Sequence, residues 1–113
     1  MMKLQHIYEN YTTEEHVDTI LSLGIPIDTA DCYIDVSGNR YVRSQNEGEQ
    51  DDTFFDEFGY TPCWSAGRLV EIYCTATHLM FPELSTPYMI KDIIGIIKQE
   101  SKYTDFSKLE SYE

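Results

Sequence analysis

The sequence predicts an α+β fold, in which a small antiparallel sheet packs against three helices. Three segments carry apolar residues at helical spacing, at about 13–23, 66–76 and 87–100. A fourth segment, about 32–43, alternates apolar and polar residues around a turn, as a β-hairpin does. A hairpin alone is marginally stable in water, so the sheet needs a further strand. Two segments could provide that strand, 60–64 and 78–81.

The first helix is predicted from both of its ends. Thr12 is followed three residues later by Glu15, which is the pattern of a capping box that binds otherwise unpaired amides. Gly24 suits the left-handed position that ends a helix, and Pro26 prevents continuation. The apolar face between these ends consists of Val17, Ile20 and Leu21.

The hairpin is predicted to turn at Ser37-Gly38-Asn39, but its register stays open. A two-residue loop would pair Val36 with Tyr41, whereas a three-residue loop would pair Ile34 with Val42. The choice matters because a shift by one residue moves every side chain to the other face of the sheet.

The second helix is predicted to begin after Ser65, whose hydroxyl suits an N-cap. Trp64, just before the cap, is placed to pack onto Leu69 as a hydrophobic staple. The end of this helix is open, since residues 74–81 fit either a helix or a strand.

The third helix is predicted from Thr86 as its cap and Pro87 at its first position, where proline needs no amide partner. Its apolar arc is wide enough for burial in the core, with a homodimer interface as an alternative. The residues of this arc are Met89, Ile90, Ile93, Ile94, Ile96 and Ile97. The polar residues 101–113 are predicted to form a frayed tail.

Acidic residues dominate the charge of the chain. Twenty Asp and Glu against eight Lys and Arg give a net charge of −12, which disfavours direct binding to nucleic-acid phosphates. Residues 45–52 are predicted to form an exposed acidic loop, because like charges at this density repel one another. The predicted binding surface consists of six acids: Glu47, Glu49, Asp51, Asp52, Asp56 and Glu57.

Length and composition predict one cytoplasmic domain, spanning 1–113. The N-terminus has no apolar signal segment. The three cysteines are an odd number, which does not predict a disulfide framework. The longest apolar run, 93–97, falls far short of the ~20 residues of a membrane span, so no membrane contact is predicted.

No catalytic residue, metal site or cofactor is predicted. Cys74 and His78 would share one face of a helix, but zinc needs three or four such ligands. Cys63 could act as a nucleophile if His78 or His16 approached it in space. Nothing in the sequence brings them together, and an apolar cysteine beside a tryptophan is the favoured interpretation.

The segment from Pro62 to Glu71, Pro-Cys-Trp-Ser-Ala-Gly-Arg-Leu-Val-Glu, resembles a "PCWSLxxLLE" signature. That signature occurs in short proteins encoded by anaerobic gut bacteria and their mobile elements. The opening segments 11–15 and 23–31 are similar to the start of those proteins, and Ala66-Gly67 departs from the signature. The resemblance implies a fold and a bacterial or mobile-element origin, and it implies no activity.

These observations favour a small, non-enzymatic module that binds another protein. An alternative is an acidic mimic of nucleic acid, which would occupy the basic groove of a DNA- or RNA-handling protein and bind in a salt-sensitive way. A second alternative is an enzyme whose cysteine, histidine or carboxylate site is hidden in the fold.

Overall fold

A computed structural model describes residues 10–43, 55, 59–84 and 88–109, and it confirms the predicted α+β fold. The helices are α1 (Glu14–Ser22), α2 (Ala66–Thr77) and α3 (Met89–Glu100). The strands are β1 (Cys32–Ile34), β2 (Arg40–Val42) and β3 (Thr61–Cys63). Two short 3₁₀ helices span Ile27–Thr29 and Phe106–Lys108. The predicted acidic loop, 45–52, lies outside the described residues.

Helix α1 begins one residue later than its sequence pattern indicates. Thr13 is the N-cap, and its backbone N–H donates to Nδ1 of His16 at 2.9 Å. The predicted capping role of Thr12 is wrong, because the Thr12 hydroxyl oxygen instead accepts a hydrogen bond from the Trp64 amide. The end of the helix agrees with the prediction, since Gly24 has φ +90° and donates its amide to the Leu21 carbonyl.

The three strands form an antiparallel sheet in the order β2-β1-β3. The third strand therefore comes from the segment 60–64, which is one of the two segments that the sequence predicted for it. Both predicted hairpin registers are wrong, since Ile34 pairs with Arg40 and the Asp35 amide donates to the Asn39 carbonyl, which places the loop at residues 36–38. The Asp35 carboxylate explains this loop, because it accepts hydrogen bonds from the amides of Ser37 and Asn39, both at 2.9 Å.

Helix α2 begins where the sequence predicts, and the Ser65 hydroxyl accepts a hydrogen bond from the Arg68 amide at 3.0 Å. The ambiguous segment 74–81 is helical only to Thr77, and His78 ends the helix with φ 60°. Helix α3 begins at Met89, two residues after the predicted start. The predicted cap of α3, Thr86 with Pro87, lies outside the described residues.

The core lies between the sheet and the three helices. In α1, Ile20 is buried whereas Leu21, also predicted for the apolar face, is 37% exposed. The chain returns to the core after α3, since Phe106 is buried in the second 3₁₀ helix, whereas Tyr103 before it is 83% exposed. The predicted frayed tail is therefore wrong at Phe106. The most fully buried apolar side chains are Ile20, Trp64, Leu69, Ile90, Ile93 and Ile97.

Arg43, at the end of β2, is a fully buried cation. Its guanidinium pairs with the Asp28 carboxylate at 3.0 Å and donates to the carbonyls of Asp28 and Ala30 at 3.1 and 2.9 Å. It also lies 5.1 Å from the centre of the Phe55 ring. A buried charge is tolerated only when it is paired and hydrogen-bonded, so these contacts hold β2 against the turn at Ile27–Thr29.

We predict that Arg43→Met lowers the free energy of unfolding by about 3 kcal/mol, because it leaves the largely buried Asp28 carboxylate without its cation. Urea denaturation measures the change. The matched control is Glu71→Gln, which breaks the exposed ion pair with Arg68 and is expected to cost less than ~1 kcal/mol. Equal losses in the two variants would contradict a structural role for the buried pair.

Candidate functional site

The segment that joins β3 to α2 is held by hydrogen bonds from three other parts of the chain. The Trp64 amide donates to the Thr12 hydroxyl, and the Thr12 amide donates to the Trp64 carbonyl, both at 2.9 Å. The Trp64 indole Nε1–H donates to the Thr29 hydroxyl at 3.0 Å. These bonds place the start of α1 and the turn at Ile27–Thr29 beside β3.

Asp31 joins this segment to β1. Its carboxylate accepts hydrogen bonds from the Ser65 amide at 2.9 Å and from the Ser65 hydroxyl at 2.6 Å. Its backbone carbonyl accepts from the Arg43 amide on the other side of β1 at 2.9 Å. The residue just before β1 therefore contacts both neighbouring strands, and this fixes the register in which Cys32 lies opposite Cys63.

Cys32 and Cys63 form a buried thiol cluster with Arg40 and Thr12. Both thiols are free, and each side chain is at most 1% exposed. Arg40 reaches across β1 and donates from Nε to the Cys63 sulfur at 3.3 Å. The Cys63 thiol lies 3.3 Å from the Thr12 carbonyl. The Arg40 guanidinium is 4.8 Å from the centre of the Tyr11 ring, so this exposed arginine lies between Tyr11 and the Cys63 sulfur.

The two thiols of the cluster have opposite acidities. Hydrogen bonding from Cys32, together with the Arg40 guanidinium, lowers the pKa of Cys63 to about 7, although burial opposes this. Hydrogen bonding to Cys63, burial and the Asp31 carboxylate raise the pKa of Cys32 well above its ordinary value. Cys63 is therefore the more acidic of the two thiols and is partly ionised near neutral pH, whereas Cys32 stays protonated.

The other face of the sheet carries a row of stacked tyrosines. The rings of Tyr33 and Tyr60 lie 4.6 Å apart, and those of Tyr33 and Tyr41 lie 5.3 Å apart. Tyr41 ends this row at the solvent and is 44% exposed. The nearby Asp35 carboxylate raises the pKa of Tyr41, so the phenol stays protonated at neutral pH.

Strand β2 forms the outer edge of the sheet. The Asp35 amide donates to the Asn39 carbonyl, and the Arg43 amide donates to the Asp31 carbonyl, both at 2.9 Å. Tyr33–Tyr41 lies midway between these two pairs, so it is also a hydrogen-bonded pair. The backbone N–H and C=O groups of Arg40 and Val42, on either side of Tyr41, must then point away from β1. Within the part of the chain that the structure describes, no strand pairs with that side.

Apolar side chains accompany this outer edge. Val36 is 84% exposed, Val42 is 66% exposed, and both lie close in sequence to Tyr41. We call the outward backbone of β2 together with these three side chains the edge surface. Aromatic and apolar groups at a protein surface are the usual source of binding energy in protein interfaces. The edge surface can therefore offer both hydrogen bonds and apolar contacts to an extended chain.

A cavity of about 730 Å³ lies between α2 and the C-terminal 3₁₀ turn. Arg68 on its wall donates to the Thr29 carbonyl at 2.7 Å and forms an ion pair with Glu71. The turn contributes Asp105 and Lys108, again one charge of each sign. Because the charges on its wall balance, the cavity favours neither anions nor cations.

The structure brings neither histidine to Cys63. The His16 ring caps α1, and His78 is at the end of α2, where its amide donates to the Cys74 carbonyl. No three His, Cys, Asp or Glu residues among those described come close enough to hold a metal ion. The six acids of the predicted binding surface lie outside the described residues: Glu47, Glu49, Asp51, Asp52, Asp56 and Glu57.

Sequence reasoning missed the thiol cluster and the edge surface. Both depend on which residues of β1, β2 and β3 lie opposite one another. The sequence predicted that the segment 60–64 could join the hairpin, but it did not predict the register that sets Cys63 opposite Cys32. The pairing depends on the Asp31–Ser65 bonds, which join residues 34 positions apart.

No family model, curated protein or solved structure matches this chain. The resemblance to the proteins with the "PCWSLxxLLE" signature therefore stays a prediction. In the described ranges, no helix is both long enough and apolar enough to cross a membrane.

We predict that Arg40→Gln raises the pKa of Cys63 by about one unit, because it removes the guanidinium that favours the thiolate. Thiolate absorbance in the ultraviolet, followed against pH in the Cys74→Ser background, measures the shift. Lys91→Gln removes one exposed positive charge from α3 and is the matched control. An unchanged midpoint in Arg40→Gln would contradict the assigned role of Arg40.

Proposed function

We propose that this chain is a non-enzymatic protein-interaction module that binds an extended segment of a basic partner protein along the edge surface. The observation that carries the proposal is the outer edge of β2, which no strand of the described residues pairs, beside exposed Val36, Tyr41 and Val42. A strand added to such an edge gains backbone hydrogen bonds, and neighbouring side chains supply specificity.

The chemistry of the edge surface supports an added strand. Arg40 and Val42 direct their backbone groups outward, since the intervening Tyr41 bonds to β1. Tyr41 is stacked on Tyr33, so it presents an aromatic surface that loses little conformational freedom on binding. Natural proteins usually protect an exposed strand edge, so one left open with apolar side chains favours a binding role.

The charge of the chain supports a basic partner over a second copy. Two copies would each bring a charge of −12 and would repel one another on approach. A partner rich in lysine and arginine would be attracted instead, and the attraction would speed its association. The acids at 47–57 follow β2 in the sequence and contribute half of this net charge.

The proposal also includes the cellular location and the origin of the module. The odd number of cysteines supports a reducing, cytoplasmic environment. The resemblance of residues 62–71 to the "PCWSLxxLLE" signature supports a bacterial or mobile-element origin.

We expect Val42→Pro to weaken partner binding at least tenfold, because proline removes an outward N–H of β2 without removing a bond to β1. The intact chain first captures basic proteins from a host lysate, and the dissociation constant of each purified candidate is then measured. Met80→Ser is the matched control, since Met80 is a highly exposed apolar residue outside the sheet. Hydrogen exchange of the Arg40 and Val42 amides should slow in the complex.

Three results would contradict this proposal. Equal binding by Val42→Pro and the unsubstituted chain would exclude the edge surface. Binding that Val42→Pro leaves unchanged, but that is lost in high salt or on neutralising the six acids at 47–57, would favour the nucleic-acid mimic. Dimerisation of the purified chain that Val42→Pro abolishes would identify the occupant of the edge as a second copy.

A further inference from the structure

The strand register places two cysteines within reach of one disulfide. Because Tyr33 bonds toward β2, the residues on either side of it bond toward β3, and Cys32 with Cys63 is a hydrogen-bonded pair. The Cα atoms of such a pair lie about 5.5 Å apart, and disulfides span Cα separations of about 4.4–6.8 Å. The third cysteine, Cys74, is on α2 and does not belong to the thiol cluster.

We propose that the thiol cluster is a redox-modification site, in which a hydroperoxide oxidises Cys63 and Cys32 then closes a disulfide between β1 and β3. The geometry assigns the two roles. Arg40 donates to the Cys63 sulfur at 3.3 Å and favours a negative charge there, whereas Cys32 has no cation beside it among the described contacts. The lowered pKa of Cys63 agrees with this assignment. The proposal is independent of the edge surface.

The reaction balances with hydrogen peroxide as the oxidant. The Cys63 thiolate attacks one peroxide oxygen, an S–O bond forms, the O–O bond breaks, and the departing hydroxide takes a proton to become water. The sulfur of Cys32 then attacks the sulfenic sulfur of Cys63, so that the S–S bond forms and the S–O bond breaks. The departing hydroxide takes the Cys32 proton. Two thiols lose two electrons in total, and one peroxide becomes two waters.

An exposed side chain, that of Arg40, contacts the buried sulfur of Cys63. Cys63 itself is 0% exposed, whereas Arg40, which contacts it, is exposed and extends from the edge strand. The guanidinium of Arg40 is held by the Thr12 carbonyl at 3.5 Å and by the Tyr11 ring, which are weak contacts. A rotation of this side chain would admit a molecule as small as peroxide without unfolding the sheet.

The resulting disulfide would be strained and therefore easily reduced. In a directly opposed pair the Cβ atoms lie about 4.5–5.5 Å apart, and the longer separations belong to hydrogen-bonded pairs. A disulfide needs about 3.5–4.5 Å. Strands β1 and β3 must approach one another by roughly 1 Å, and such deviations make a disulfide more reducible. The modification is thus suited to a reversible role.

The test treats the folded Cys74→Ser chain with hydrogen peroxide and follows intact mass and peptide maps. We expect a loss of two hydrogen atoms, a Cys32–Cys63 linked peptide, and full recovery with dithiothreitol. Cys32→Ser should stop at a sulfenic acid on Cys63 that dimedone traps, whereas Cys63→Ser should give no such adduct at Cys32. The rate of oxidation should rise with pH through about 7, because ionisation of Cys63 supplies the thiolate that attacks peroxide.

The Cys74→Ser measurement needs no substitution in the pair, so it stays valid even if a cluster variant fails to fold. Preferential oxidation of Cys74 in the unsubstituted chain, with Cys32 and Cys63 still reduced, would overturn the proposal. If the pair is oxidised only in unfolded molecules, the rate of oxidation should equal the rate of global unfolding and should increase in low concentrations of urea. That result would also overturn the proposal. Equal dimedone labelling of Cys32→Ser and Cys63→Ser would refute the assigned roles.

Discussion

The fold depends on how the buried polar groups around Trp64 are paired. A buried hydroxyl, amide or indole N–H without a partner costs about 1–3 kcal/mol, so each must find one inside the protein. Thr12 and Thr29 lie in different parts of the chain, and Trp64 satisfies both of their hydroxyl oxygens. No buried side-chain nitrogen or oxygen in the described residues lacks a partner. This network aligns α1, the sheet and α2 more tightly than apolar contact alone would.

The sequence predicted the local features of this fold and missed the ones that depend on distant partners. The Ser65 cap and the left-handed Gly24 were predicted correctly, because each acts within a few residues. The assignment of the cap to Thr12 was wrong, since the Thr12 hydroxyl is bound by an amide 52 positions away. The hairpin register was missed because the Asp35 carboxylate, and not the Gly-Asn pair alone, shapes the loop.

The candidate sites also divide into features that the sequence could predict and features that depend on contacts between distant residues. Composition identified the acidic segment, because charge can be counted without a structure. The thiol cluster could not be predicted, since it needs the register of β1 and β3 and the reach of Arg40 across β1. The edge surface likewise depends on the position of β2, which is the outermost of the three described strands. Sequence spacing alone had paired Cys74 with His78, and those residues share only a helical backbone bond.

Strand β1 connects the two proposed sites. Its alternate residues bond to opposite neighbours, so Tyr33 positions Tyr41 at the edge surface while Cys32 faces Cys63. A disulfide that draws β1 toward β3 must therefore displace the strand on which β2 rests. Arg40 belongs to both sites, because its backbone lies on the outer edge and its side chain contacts Cys63. If both proposals hold, oxidation and partner binding must influence one another, since a coupling between two sites is reciprocal.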